Sequence, residues 1–170
     1  MLLGQTLRLI GPVISAGVAH AIVIRLDLLG FLALPLDGRR LRHRPLFGEN
    51  KTWRGLVVMV VVCTATAPLF GLPVVLGACL GAAYSLAELP NSFVKRRLGI
   101  PPGARSRRGA VAQYVTDQGD SVLGCTVVVA LFGYRLVLIA SVCLLGFVFH
   151  AAFDALLYVL GVKRLHEATT

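Results

Sequence analysis

The 170 residues are 56 % hydrophobic and only 15 % charged, with a mean hydropathy of +0.79. Those values are wrong for an ordinary water-soluble domain, so lipid is the solvent for most of the chain. The formal charge of +9 is gathered in short clusters, which fits the basic loops of a membrane protein and argues against a nucleic-acid partner.

In chain order, segment one runs from Leu7 to about Leu26, is entered through Gly11-Pro12 and carries His20 and Arg25, with Asp27 just beyond. Roughly 20 apolar residues suffice to cross a bilayer. No small-residue cleavage site followed by a soluble domain comes after it, so no cleavable signal peptide is expected. Leu28 to Leu34 is too short to cross again and is expected at the interface or as an extension of the first helix. Residues 35–55 form a polar loop. Segment two, Leu56 to Phe70, is rich in β-branched residues but shows no alternation of apolar and polar positions, so in lipid it should be helical. Gly71-Leu72-Pro73 makes a tight turn. Segment three, Val74 to about Val94, has Glu88, Pro90, Asn91 and Ser92 in its last two turns, where proline predicts a kink. The loop 95–116 follows. Segment four runs from about Gln118 to Phe132, and segment five, Leu136 to Leu160, carries His150 and Asp154 four residues apart. Cys63, Cys79, Cys125 and Cys143 all lie in apolar runs with no C-x-x-C pair, and read as buried small side chains. The expected fold is therefore all-α: a polytopic helical bundle of about five transmembrane helices, with 1–170 as one integral membrane domain.

Lysine and arginine counts orient it, because the positive-inside bias acts through short loops. The loops 35–55 and 95–116 carry six each and the tail two, so five crossings collect 14 of the 17 on one face. The N-terminus is expected outside, with the C-terminus and both charged loops in the cytoplasm.

The chemistry is concentrated between residues 84 and 121. Spacings of four and three residues put Glu88, Ser92 and Lys95 near one helical face, and Asp117 and Asp120 also share a face. A carboxylate inside a lipid-facing helix costs about 2.5–3.5 kcal/mol unless it is paired or solvated. Glu88 therefore needs either a metal shared with Asp117 and Asp120 or a salt bridge to Lys95 or Arg96. The metal reading is preferred because of the basic cluster alongside. Alone, Asp117 and Asp120 would also suit a helix start, where the macrodipole favours acids. Lys95-Arg96-Arg97 alone would read as a stop-transfer flank, and Arg105, Arg107 and Arg108 as an anionic-lipid contact. In Phe47–Gly55, backbone amides beside glycine, with Lys51 and Arg54, have the chemistry to hold phosphate oxygens. Trp53 reads as an interfacial anchor. His150 and Asp154 are expected as a structural pair, with Arg25 a second candidate partner for the aspartate.

Ser92-x-x-Lys95-Arg96, Pro102-Gly103 and Asp117-Gln118-x-Asp120-Ser121 resemble the signature of the CDP-archaeol synthase family and, more distantly, of the bacterial CDP-diacylglycerol synthases. Pro35-Leu-Asp37-Gly-Arg-Arg and Gly48-Glu-Asn-Lys51-Thr52-Trp53-Arg54-Gly55 match the other half of the archaeal-type pattern. Glu88 stands where that family usually has aspartate. The resemblance implies Mg²⁺-dependent transfer of CMP from CTP to a lipid phosphate, archaetidic or phosphatidic acid in type, at the cytoplasmic face of the cell membrane. Glu88, Asp117 and Asp120 would hold metal, with Lys95, Arg96, Asp117 and Asp120 as the catalytic set. Lys51, Thr52, Arg54, Asn91 and Ser92 would bind substrate. Small-residue faces leave a homodimer open. The rival readings are a non-catalytic transporter or anionic-lipid-binding protein, and an inactive relative.

Overall fold

The computed structural model describes residues 1–37, 40–41, 44–102, 104, 110–159 and 161. Five helices account for most of them: α1 (Leu2–Arg25), α2 (Trp53–Thr66), α3 (Val74–Arg97), α4 (Ala110–Leu131) and α5 (Leu136–Val159). The all-helical expectation holds. The only strands among the described residues, β1 (Arg40–Leu41) and β2 (Arg44–Pro45), form a small antiparallel hairpin in the 35–55 loop. Among the described residues, four stretches are long and apolar enough to cross a membrane: α1, α2 with its 3₁₀ continuation to Phe70, α3 and α5. The 22-residue α4 carries Asp117, Gln118 and Asp120 near its middle, which dilutes its hydropathy.

Several boundaries differ from the sequence reading. Segment one begins at Leu2, with Gly11-Pro12 inside the helix rather than at its entrance. Thr52 caps α2, its Oγ1 accepting from Gly55 N at 3.3 Å. α3 continues through Pro90 to Arg97 and stops where Gly99 adopts φ +77° ahead of Pro101. α4 starts at Ala110, well before the expected Gln118, because nothing in Ala110-Val-Ala-Gln-Tyr-Val-Thr breaks a helix. The 95–116 loop is thus shorter than expected. The acids lie within a helix instead of opening it, and the first turn of α4 holds none. A simple macrodipole role for them falls away.

Helices adjacent in sequence pack together, and α5 returns to touch α1, so the five close a ring. The core joins Leu9, Ile10, Leu76, Leu80, Cys125, Val129, Leu138 and Val142 from four of them. α3 is held at backbone distance on two sides. A Cβ on Gly77 or Gly81 would lie 2.5 Å from the carbonyl oxygen of Cys63 or Met59 on α2, and one on Gly124 of α4 would lie 2.7 Å from that of Ala83. The Gly77-x-x-x-Gly81 stripe is therefore consumed within the chain. The ends of α1, α3 and α5 and the starts of α2 and α4 share one end of the ring, the loop end; the tight turns 66–74 and 131–136 lie at the other.

Candidate active site

The last turns of α3 and the middle of α4 face one another at the loop end, and their polar side chains interlock. Asn91 Nδ2 donates to Asp117 Oδ1 at 2.7 Å and to Asp120 Oδ2 at 3.0 Å. Ser121 Oγ lies 2.7 Å from Glu88 Oε1 and 3.2 Å from Asp120 Oδ1, one hydroxyl between two carboxylates. Ser121 N also donates to Asp120 Oδ1 at 2.7 Å. All three predicted acids thus join one network. Cations close it: Lys51 pairs with Glu88 across from the 35–55 loop, and Lys95 pairs with Asp117.

Arg96 is buried, and neither its Nε nor its Nη1 has a hydrogen-bond partner. Its guanidinium lies under the loop, where a Cβ on Gly48 would come within 3.3 Å of Nη1. The loop is held there by Asp37, whose Oδ2 accepts from Phe47 N at 2.6 Å and Gly48 N at 3.2 Å. Leu36 N also donates to Lys51 O at 2.7 Å. Buried guanidinium nitrogens without acceptors are costly, which makes this a place for an anion. Ser92 is buried on the same helical stripe, one turn before it.

The remaining predicted binders are placed differently. Arg54 turns to Asp27 Oδ1 at 3.0 Å and Leu28 O at 3.2 Å, joining the start of α2 to the end of α1. Thr52 serves as the cap already described. Asn91 holds the two aspartates in register. Trp53 is exposed, as an interfacial anchor should be. His150 and Asp154 do not pair as expected. His150 Nδ1 is 2.8 Å from Gln118 O and Nε2 is 3.0 Å from Tyr84 Oη, while Asp154 Oδ2 accepts from Gln118 Nε2 at 3.0 Å. A carbonyl can only accept, so Nδ1 carries the proton and Nε2 accepts from Tyr84. Arg105, Arg107, Arg108, Gly103 and the tail lie outside the described residues.

Sequence reasoning passed over Ser121, Asp37, Tyr84 and Gln118. Ser121 and Asp37 stand inside the motif strings, and Tyr84 precedes Glu88 by one turn on the same face, so a search for hydrogen-bonding neighbours at i±4 would have found it.

Among the described residues, no three His, Cys, Asp or Glu side chains are set to grip a single ion, because Asn91, Ser121 and the lysines occupy the carboxylate oxygens. The three carboxylates are nonetheless hard oxygen donors of the kind a divalent cation such as Mg²⁺ takes, linked by Asn91 and Ser121 and paired with Lys51 and Lys95.

The architecture is that of a multi-pass membrane protein with a polar acid–base site built into one end of its bundle. Curated relatives named CDP-archaeol synthase match it. The protein of Sulfolobus acidocaldarius is 28 % identical over 136 residues, 76 % of each chain. That of Saccharolobus solfataricus is 29 % identical over 137 residues, 76 % of this chain and 75 % of its own. That of Sulfurisphaera tokodaii is 28 % identical over 143 residues, with the same coverage. The resemblance to the CDP-archaeol synthase family thus extends from the motifs to three quarters of the chain. No protein-family profile and no solved structure matches.

Proposed function

We propose that this chain is a CTP-dependent cytidylyltransferase that moves CMP onto a membrane lipid phosphate and releases pyrophosphate. The observation that carries the reading is the junction of carboxylates from α3 and α4 with Lys51, Lys95 and Arg96, whose buried Nε and Nη1 have no hydrogen-bond partner. The curated relatives' names agree with it.

A lipid phosphate oxygen attacks the α-phosphorus of CTP, and the bond from that phosphorus to the bridging oxygen of the β-phosphate breaks. The nucleophile is already anionic, so no general base is needed; the protein's task is to suppress repulsion between two anions and hold the reacting oxygens in line. Arg96 receives phosphate oxygens under the Gly48 loop, and Lys51 and Lys95 swing from their carboxylates to the triphosphate and the departing pyrophosphate. Asp117, Asp120 and Glu88 are the residues that would hold Mg²⁺, which when bound would neutralise phosphate charge. Asn91 and Ser121 keep those carboxylates aligned.

The lipid chains reach this site from the side. A cavity of about 270 Å³ lies between α1 and α5, floored by α3 and α4 and walled by Leu9, Val13, Gly17, Phe149 and Phe153. Tyr84 and His150 are its polar patch. With both charged loops in the cytoplasm, the lipid's headgroup meets CTP at the inner leaflet.

The test is pyrophosphate release from CTP across a panel of ether- and ester-linked lipid phosphates, with Mg²⁺ and with EDTA. Turnover that requires both lipid phosphate and Mg²⁺ is expected; its absence with every lipid removes the reading. The internal ion pairs favour one alternative, a non-catalytic anionic-lipid binder, which would retain lipid phosphate without consuming CTP.

A further inference from the structure

At the turn end of the ring a second groove, of about 690 Å³, opens between the start of α1 and the two tight turns. Arg8 from α1 and Arg135 from the α4–α5 turn both line it, with Gln5 and Tyr134 beside them. Both arginines are exposed, and neither has an ion pair among the described residues. Arg8 lies six residues inside α1, ~9 Å along the helix from Leu2. A cation at that depth in a lipid-facing helix is costly unless an anion meets it or its stem carries the charge to the headgroups.

Among the described residues no carboxylate pairs with either arginine. Measured along their helices from this end, Asp120, Glu88 and Asp154 are 11, 14 and 18 residues away against six for Arg8, so even the nearest lies ~7 Å deeper along the bundle than Arg8. That is beyond the ~4 Å of an ion pair. The rest of the lining, including Leu2, Leu9, Leu72, Val137 and Leu138, is apolar. Two guanidiniums above an apolar wall suit an amphiphile better than a free ion.

We propose that this groove is a binding site for an anionic phospholipid of the leaflet opposite the acid–base site, with Arg8 and Arg135 sharing its phosphate and one chain lying against the apolar lining. It spans the junction of α1 with the α4–α5 turn, so the lipid braces the ring where α5 closes on α1. The ligand is a phosphodiester such as phosphatidylglycerol, which has no monoester oxygen to accept CMP, so the proposal stands apart from the transferase reading.

The experiment loads the full chain from vesicles of phosphatidylcholine and phosphatidylglycerol, extracts it into neutral detergent and counts retained lipid by native mass spectrometry. Wild type should retain phosphatidylglycerol over phosphatidylcholine. The Arg8→Gln/Arg135→Gln variant should retain it about thirtyfold less well, at roughly a fivefold loss per arginine. The double lysine variant should keep most of the preference. Should the double glutamine variant not fold, the Arg135→Gln variant in the exposed turn carries the test at about fivefold. Unchanged retention in the glutamine variants overturns the site. Displacement of the lipid by millimolar inorganic phosphate overturns the amphiphile in favour of a free anion.

Discussion

The two sides of the ring are built differently. On one, α3 touches α2 and α4 through glycines at backbone distance, and Glu88, Asp117 and Asp120 hang from those packed helices. On the other, α1 and α5 meet across an apolar cavity whose polar contribution is Tyr84 and His150. Backbone contact leaves little freedom, which suits carboxylates that must keep their spacing. A looser seam suits a flexible chain that must enter and leave. On the proposed reading, charge is handled on the stiff side and the lipid on the yielding one.

The sharpest way to break this contrast is at the acids. Asp120→Asn should lower CTP-dependent pyrophosphate release by about 10²–10³-fold, since it removes charge where phosphates are handled while keeping the side chain's shape and one of its two acceptor oxygens. Unchanged turnover would mean that the network is structural. Lys95→Met should cost about tenfold to a hundredfold in the same assay. Gly81→Val tests stiffness itself: its first carbon meets the Met59 carbonyl, so thermal unfolding should report a loss of about 1–3 kcal/mol. On the yielding side, His150→Phe keeps the ring but strips the Gln118 carbonyl and Tyr84 hydroxyl of their partner, for about 1–2 kcal/mol. It should raise the KM for lipid and leave that for CTP alone. The smallest effect belongs to Asp27→Asn, because Asp27 is 87 % exposed in its pair with Arg54 and such pairs are worth at most about 1 kcal/mol.

The helices were legible because lipid forces long apolar runs into helical form, and the acids were legible because charge in such runs demands a partner. What stayed hidden was rotation. The spacing of Asp117 and Asp120 places them on one face of α4, but only packing decides that Asn91 lies between them and that Ser121 turns toward Glu88. Lys51 and Glu88 are 37 positions apart, and no periodicity links a loop to a helix at that range. His150 and Asp154 show the converse error: the right spacing on one helix, yet both reach for Gln118 on the next.

The segment 47–52 is tethered twice, by its amides on Asp37 and by the Lys51 ammonium on Glu88. On the proposed function, a triphosphate arriving above Arg96 would compete with Glu88 for that ammonium, and the second tether would hold only until then. A reporter group on solvent-facing Glu49 would then sense nucleotide arrival directly, before any bond is made or broken, and would time loading separately from turnover.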